Sequence, residues 1–277
     1  MENKGYKPNA ITYATIINAL CKSGGTSVAI ELLRKMEEAN FELNVEMYST
    51  VIDGLCKDKM VNEALELSSE MPRKGIHPNL VTYNSLIHGL CNSGRWEEGM
   101  ITKAKEMFDA MIHKRIVPNV VTYNSLIDTL GKEGMLTEAI EVFDGMIQSG
   151  IEPDLVTYNS LIDGYCLQNK MEGALKVFNL MLARECSPSV ISYTILIHGY
   201  CNSKQIDEAS SLYQEMSKNR IIPDVVIHTA LLGGLCRVGR PHAALELLHK
   251  MRDCGQHPNL QTYAILLDGL FKNQQLS

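Results

Sequence analysis

The residues that could do chemistry in this chain are eight cysteines, eight histidines and a ladder of short polar side chains placed at one interval. Cys21, Cys56, Cys91, Cys166, Cys201 and Cys236 recur at equivalent places a whole repeat or more apart, while Cys186 and Cys254 stand alone. That spacing does not fit a disulfide framework, and no CxxC pair occurs. Cysteine at one repeating place fits a small apolar packing residue in a reducing compartment. A zinc deaminase requires HxE together with PCxxC, and neither is present. His88 and His198 share one repeat place and read as groove or surface residues rather than metal ligands. No catalytic residue, metal site or cofactor is therefore expected. The polar ladder remains, and its elements must be read first.

Those elements are set by the heptad VTYNSLI, unbroken at Val81–Ile87, Val121–Ile127 and Val156–Ile162. Looser copies begin at Ile11, Glu46, Ile191, Val226 and Gln261, and consecutive copies lie 35 residues apart except for one step of 40. A fixed period of this size marks a stacked repeat array, each unit burying its apolar side against its neighbours. Within 155–189, Tyr158, Leu161, Ile162 and Tyr165 fall at i, i+3, i+4 and i+7, one apolar helical stripe. Asn169 then stands where sister repeats have Gly24, Gly94, Gly134 or Gly239, which suits a left-handed helix end. Ala174, Leu175, Phe178 and Met181 give a second helix its buried face, and a proline precedes the next unit. The expected fold is all-α: a right-handed α-solenoid of stacked antiparallel helix pairs.

The chain divides into repeats at 10–44, 45–79, 80–119, 120–154, 155–189, 190–224, 225–259 and a truncated 260–277, with 1–9 as the tail of a preceding repeat. Both ends read as cut from a longer array. The third repeat carries five surplus residues, placed at 99–103, which must lengthen the turn between its helices or extend the second helix at its start. A helix cannot absorb five residues internally without rotating its faces by about 140°.

The formal net charge is −6 and 45% of residues are hydrophobic. An acidic chain is no general nucleic-acid coat, because such binding rests on many phosphate contacts. A groove lined by a few placed cations remains compatible with it. No run approaches the roughly 18 apolar residues of a membrane span, and residues 1–10 have neither an apolar signal core nor an Arg- and Ser-rich presequence.

The first helix has a second stripe, offset from the packing stripe. In the fourth repeat it comprises Val121, Asn124, Asp128 and Lys132, at i, i+3, i+7 and i+11. Stacked units set these stripes side by side as aliphatic, polar and basic rungs. The basic rung holds Lys22, Lys57, Lys132, Arg237 and Lys272, interrupted by Asn92, Leu167 and Asn202. A solvated helix face would also be polar. However, the residue after each repeat Tyr is restricted to Asn, Thr, Ser or Ala, not the Lys, Glu and Gln of free surface. Short amides and hydroxyls offer donors and acceptors on stiff stems, which suits reading base edges.

The 35-residue period, the VTYNSLIDGLCK-type first helices, the EALELxxEM-type second helices and the GIxPD/N endings resemble the pentatricopeptide-repeat family over essentially the whole chain. The regular units are similar to its plain-repeat class and to fertility-restorer-like proteins of plant organelles. The tetratricopeptide pattern, with its period of 34 and W-x2-L-G, is missing. The family reads one base per helical repeat.

The resemblance implies that two residues specify each base, the one after the repeat Tyr and the last before the next unit. Ser49 with Asn79 corresponds to adenine, Asn84 with Asn119 to either pyrimidine, and Asn124 with Asp154 to uracil. Asn159 with Ser189 corresponds to cytosine, Thr194 with Asp224 to guanine, and Thr229 with Asn259 to adenine. Ala14 with Asn44 lacks a polar reader, and Ala264 has no partner. The implied core, 5′ to 3′, is A-(C/U)-U-C-G-A.

By the same resemblance Ile11, Val81, Val121, Val156, Ile191 and Val226 sandwich bases, and the basic rung contacts phosphates. Glu46 and Gln261 replace the aliphatic residue and His228 replaces Tyr, so those units are expected to bind more weakly. The expected function is sequence-specific binding of single-stranded RNA in organellar RNA processing, stability or translation, in the mitochondrion or alternatively the plastid. The expected partners are RNA and other RNA-processing proteins, with no membrane and no small-molecule substrate. The alternative is a protein-interaction scaffold using the same face.

Overall fold

The structure, a computed structural model, describes residues 9–92, 99–253 and 255–272. Its regular structure among those residues is helical: α1 (Ala10–Lys22), α2 (Thr26–Glu38), α3 (Val45–Lys57), α4 (Val61–Glu70), α5 (Leu80–Asn92), α6 (Met100–His113), α7 (Val120–Lys132) and α8 (Leu136–Gln148), then α9 (Leu155–Leu167), α10 (Met171–Ala183), α11 (Val190–Asn202), α12 (Ile206–Lys218), α13 (Val225–Arg237), α14 (Pro241–Asp253) and α15 (Leu260–Lys272). The chain falls into two compact units, Met1–Thr129 and Leu130–Ser277. In each, helical hairpins stack in series, so the fold class is an all-α helical-repeat solenoid.

In the first unit α1, α3 and α5 form one row, with α2 and α4 each packed on their own first helix and on the next. Tyr48, Ile52 and Leu55 from α3 meet Leu33, Met36, Met71 and Leu86 in a continuous core. In the second unit α9, α11, α13 and α15 form the row and α10, α12 and α14 flank it. Phe178, Tyr193, Leu196, Ile197 and Leu231 lie in its core. Each fully buried side chain of this size contributes about 1.5–3 kcal/mol. The repeat tyrosine is fixed by an aromatic edge from the preceding second helix: Phe108 on Tyr123, Phe143 on Tyr158 and Phe178 on Tyr193, with centroids 5.3, 5.9 and 5.5 Å apart.

The turns follow the sequence signals. Gly24, Gly134 and Gly239 have φ of 77°, 79° and 75°, and Asn169 takes the same left-handed conformation at 57°. Lys59 and Lys204 hold it without a glycine, at 63° and 62°. In the third repeat α6 has 14 residues where α8 has 13, and its buried anchor is Met100 rather than Ile101. Most of the surplus length therefore lies in the connection from α5 to α6, whose residues 93–98, with Gly94 among them, are outside those described.

The repeating cysteines are packing residues. A Cβ added to Gly89, Gly199, Gly234 or Gly269 would meet the Sγ of Cys56, Cys166, Cys201 or Cys236 at 2.4 to 2.8 Å. Each thiol thus rests on bare backbone of the following first helix. Burial pushes Cys56 and Cys166 up to about 12, and Cys91 and Cys201 to about 11, which keeps these thiols protonated and unreactive.

Candidate nucleic-acid interface

Each first helix begins two residues before the repeat's Thr, and that start sets the geometry of the polar ladder. The residue preceding it is extended and caps the helix. Asn44 accepts from the backbone N–H of Met47 at 3.0 Å, Asn79 from Thr82 and Asn119 from Thr122 at 3.1 Å each, and Asp154, Asp224 and Asn259 from Thr157, Ile227 and Thr262 at 2.9 Å each. These are six of the seven residues expected as second members of base-specifying pairs. Each uses one side-chain oxygen to start its helix. At the start of α11 the Ser189 N–H donates to the Ser192 hydroxyl at 3.2 Å, as the N–H groups of Asn79, Asn119, Asp154 and Asn259 donate to their threonines.

The aliphatic rung faces solvent. Ile11, Val81, Val121, Val156, Ile191 and Val226 are 51–74% exposed, while the Tyr two residues later is buried in four of these repeats and its replacement His228 is 1% exposed. These five residues, Tyr83, Tyr123, Tyr158, Tyr193 and His228, are packing residues, and Tyr13 is half-buried. A single exposed valine is ordinary, but an apolar residue held outward at the same place in six repeats is an unsatisfied surface. Beside it, Ser49, Asn159 and Thr229 are buried, Ala14, Asn84, Asn124 and Thr194 half-buried, and Ala264 exposed.

Two clefts bring the assigned residues together. Between α3 and α5 a cleft of about 390 Å³ is lined by Ser49, Asn79 and Val81 with Glu46 and Asp53. Across α11, α13 and α15 a cleft of about 240 Å³ is lined by Val226, Thr229, Asn259, Gln261 and Arg237. In each, a reader, its capping partner and a neighbouring aliphatic residue share one opening. Glu46 and Gln261 line the same clefts, so the departures from the aliphatic pattern sit where a ligand would enter.

The basic rung carries less free charge than its residue types suggest. Lys57 is paired with Asp53 one helical turn earlier at 2.5 Å, and Lys272 with Asp268 at 2.7 Å. Arg237 has Gly233 at that earlier place, and its guanidinium instead reaches the carbonyl of Cys201 at 3.4 Å and Asn202 at 3.3 Å. Lys22 and Lys132 are exposed. His88 bonds Asn92 at 2.9 Å and His198 bonds Asn202 at 3.3 Å, so the histidines occur where the basic residue is replaced by Asn. No group of three His, Cys, Asp or Glu side chains suited to a metal ion occurs among the described residues.

One participant carries no signal in the period. The Thr of the heptad, third residue of its helix, is fully buried as Thr82, Thr157 and Thr262 and 1% exposed as Thr122. In Thr122, Thr82 and Thr262 its hydroxyl meets both residues expected to specify the base of the preceding repeat. Thr122 Oγ1 donates to Asn84 Oδ1 at 2.6 Å and lies 3.1 Å from Asn119 Oδ1, while Asn84 Nδ2 donates to Asn119 Oδ1 at 3.2 Å. Thr82 lies 2.7 Å from Ser49 and 3.2 Å from Asn79, and Thr262 lies 3.0 Å from Thr229 and 2.9 Å from Asn259. The signal that could have found it is the combination of a hydroxyl with N3 of a helix, the reciprocal half of a capping box.

His228 is a packing residue, not a groove residue. Its ring meets Tyr213 edge-on at 5.6 Å, Nδ1–H donates to the Asp224 carbonyl at 2.8 Å, and Nε2 accepts from the Tyr213 hydroxyl at 3.1 Å. It takes over the tyrosine's contact, so any weakening of its unit must act through packing.

The PPR repeat family matches residues 8–57, 43–92, 118–166, 153–202, 188–226 and 223–272, with further PPR repeat and pentatricopeptide repeat domain matches at 74–112 and 97–133. The chain belongs to the pentatricopeptide-repeat family. Its structure is similar to that of the pentatricopeptide repeat protein PPR10 in complex with an 18-nt psaJ RNA element (25% identity, TM-score 0.64, 99% of this chain and 44% of that one). It is also similar in fold to PPR10 from maize (22%, 0.57, 99% and 58%) and to the PPR domain of Arabidopsis thaliana protein-only RNase P 1 in complex with tRNA (22%, 0.53, 63% and 90%). The chain thus spans less than half the length of the PPR10 chain solved with RNA. No curated protein matches it significantly.

Proposed function

We propose that this chain is a non-catalytic, sequence-specific binder of single-stranded RNA that reads one base per repeat. The observation that carries the reading is the outward aliphatic residue beside a short polar reader, repeated with its capping partner along the first helices. A base face packs on the aliphatic side chain while its edge meets the amide or hydroxyl. Stacking contributes about 1–3 kcal/mol per base in single-strand binders, so several weak rungs reach useful affinity together. PPR10, its similar structure, holds an RNA element.

The pairing of Lys57 and Lys272 with carboxylates makes this a binder that depends on base contacts more than on charge. Its affinity should therefore fall with salt only shallowly, by about 0.7 in log–log slope for each phosphate neutralised on a single strand. We assign the chain to organellar RNA processing, stability or translation, in the mitochondrion or alternatively the plastid, alongside other RNA-processing proteins. Selection from a random RNA pool tests the reading. Enrichment of a core matching A-(C/U)-U-C-G-A is expected. A pool that remains random after selection would overturn it.

A further inference from the structure

Resting on the RNA-binding reading above, we infer that a threonine at the third place of a first helix is a positioning residue for the base read by the repeat before it. A hydroxyl there ties the two specifying side chains into one unit. The first member of each pair stands one repeat away from this residue, and the second is the cap of its own helix. At Thr122 the three side chains close a triangle: Asn84 gives its amide proton to Asn119 and takes the Thr122 proton on its carbonyl oxygen. Both polar ends of Asn84 are thereby oriented before any ligand arrives, and rotation of its amide would break two hydrogen bonds. Thr82 and Thr262 make the same junction, between Ser49 and Asn79 and between Thr229 and Asn259.

The repeats that lack the hydroxyl or misplace it behave as this requires. Ile227 replaces Thr after Thr194, fully buried, and the Thr194 hydroxyl turns back to its own helix at the Val190 carbonyl, 2.8 Å away. Ser192 replaces it after Asn159, and the shorter side chain bonds Ser189 instead. The Asn159 carbonyl oxygen is then buried with no partner. Where the reader is Ala14, with nothing to orient, the equivalent residue is the buried Met47. The nature of this third residue therefore separates repeats whose reader is clamped from those whose reader must settle on the base.

The test uses the full chain with Thr122→Val, Ser192→Thr and Ile227→Thr, and RNA oligonucleotides differing at one base of the selected core. Thr122→Val should lower discrimination at the base read by Asn84 about three- to tenfold, the worth of one net hydrogen bond. The other positions should be unchanged, and Ser192→Thr, which supplies the longer side chain, should raise discrimination at the base read by Asn159. Ile227→Thr should change discrimination at the base read by Thr194. Equal weakening at every position, or unchanged discrimination in Thr122→Val, would overturn the inference. Side-chain amide resonances of Asn84 in the RNA-free chain supply an independent measure. They should shift and broaden in Thr122→Val and stay as they are in Ser192→Thr, and a spectrum indifferent to Thr122→Val removes the clamp. If the parent chain selects no RNA, the binding reading falls by itself, while the amide spectra still judge the clamp.

Discussion

The Cα of Gly131 lies 2.8 Å from the point where a side chain on Gly164 would begin. At Gly54, Gly89, Gly199, Gly234 and Gly269 a cysteine rests on the glycine of the following first helix; here both places are glycine and the backbones approach directly. An obstruction at this contact cannot be relieved by a change of rotamer. Gly164→Ala should cost about 1–3 kcal/mol, whereas Gly145→Ala, in α8 with nothing within 4 Å, should stabilise by about 0.5–1 kcal/mol. Urea midpoints of the two variants decide it, and opposite signs are expected.

Lys204 occupies the turn place held by Gly24, Gly134 and Gly239, with φ of 62°. A left-handed backbone crowds a Cβ and does not crowd glycine. Lys204→Gly should raise stability by about 0.5–1 kcal/mol. A thermal scan showing lower stability in this variant would mean that the side chain contributes a contact outweighing the backbone strain.

His228 should make stability depend on pH. Burial pushes its pKa below the ordinary 6.5, opposed by the Asp224 carbonyl. The folded chain therefore refuses a proton that the unfolded chain accepts. The contribution is fully present above pH 6.5 and is lost as pH falls below it toward the depressed folded value. Denaturant unfolding at pH 7.5, 6 and 5 should show this slope, and His228→Tyr should flatten it.

Ser189→Asp should move one RNA position from cytosine toward uracil, because a carboxylate replaces a hydroxyl beside Asn159. Asp is also a strong helix cap, so the change should not unfold α11. Competition among four RNAs differing at that base should show about a five- to tenfold reversal, the scale of one or two net hydrogen bonds. Equal relative affinities in parent and variant would remove Ser189 from base reading.

Val156→Glu separates binding from folding. Val156 is 54% exposed, so its replacement should change stability by no more than about 0.5 kcal/mol. It should nevertheless weaken RNA binding about tenfold or more through the lost base contact. Undiminished affinity would dissociate the aliphatic rung from RNA.

Much of this molecule was legible in its period. The Tyr, Leu and Ile of the heptad lie inside and its Val lies outside, because a helix must turn one stripe inward and the spacing says which. Asn169 could be recognised as a left-handed turn residue from the glycines at its sister places. The reach of a side chain could not be read this way. The acid beside Lys57 was visible in the sequence, but its ion pair depends on a rotamer. The junction at Thr122 depends on a residue 38 positions from Asn84, brought there by stacking. A one-dimensional pattern finds faces, whereas side-chain networks between repeats appear only when neighbouring helices are placed together.

The capping role of Asn44, Asn79, Asn119, Asp154, Asp224 and Asn259 has an evolutionary consequence. Under the proposed reading, drift at these places is screened twice, first by whether a helix still starts and only afterwards by which base is preferred. The workable alphabet shrinks to the few short residues that can do both. Within it, an exchange such as Asn for Asp replaces a donor by an acceptor and leaves the helix start standing. A lineage could thus respell its target one letter at a time, each intermediate still a folded protein.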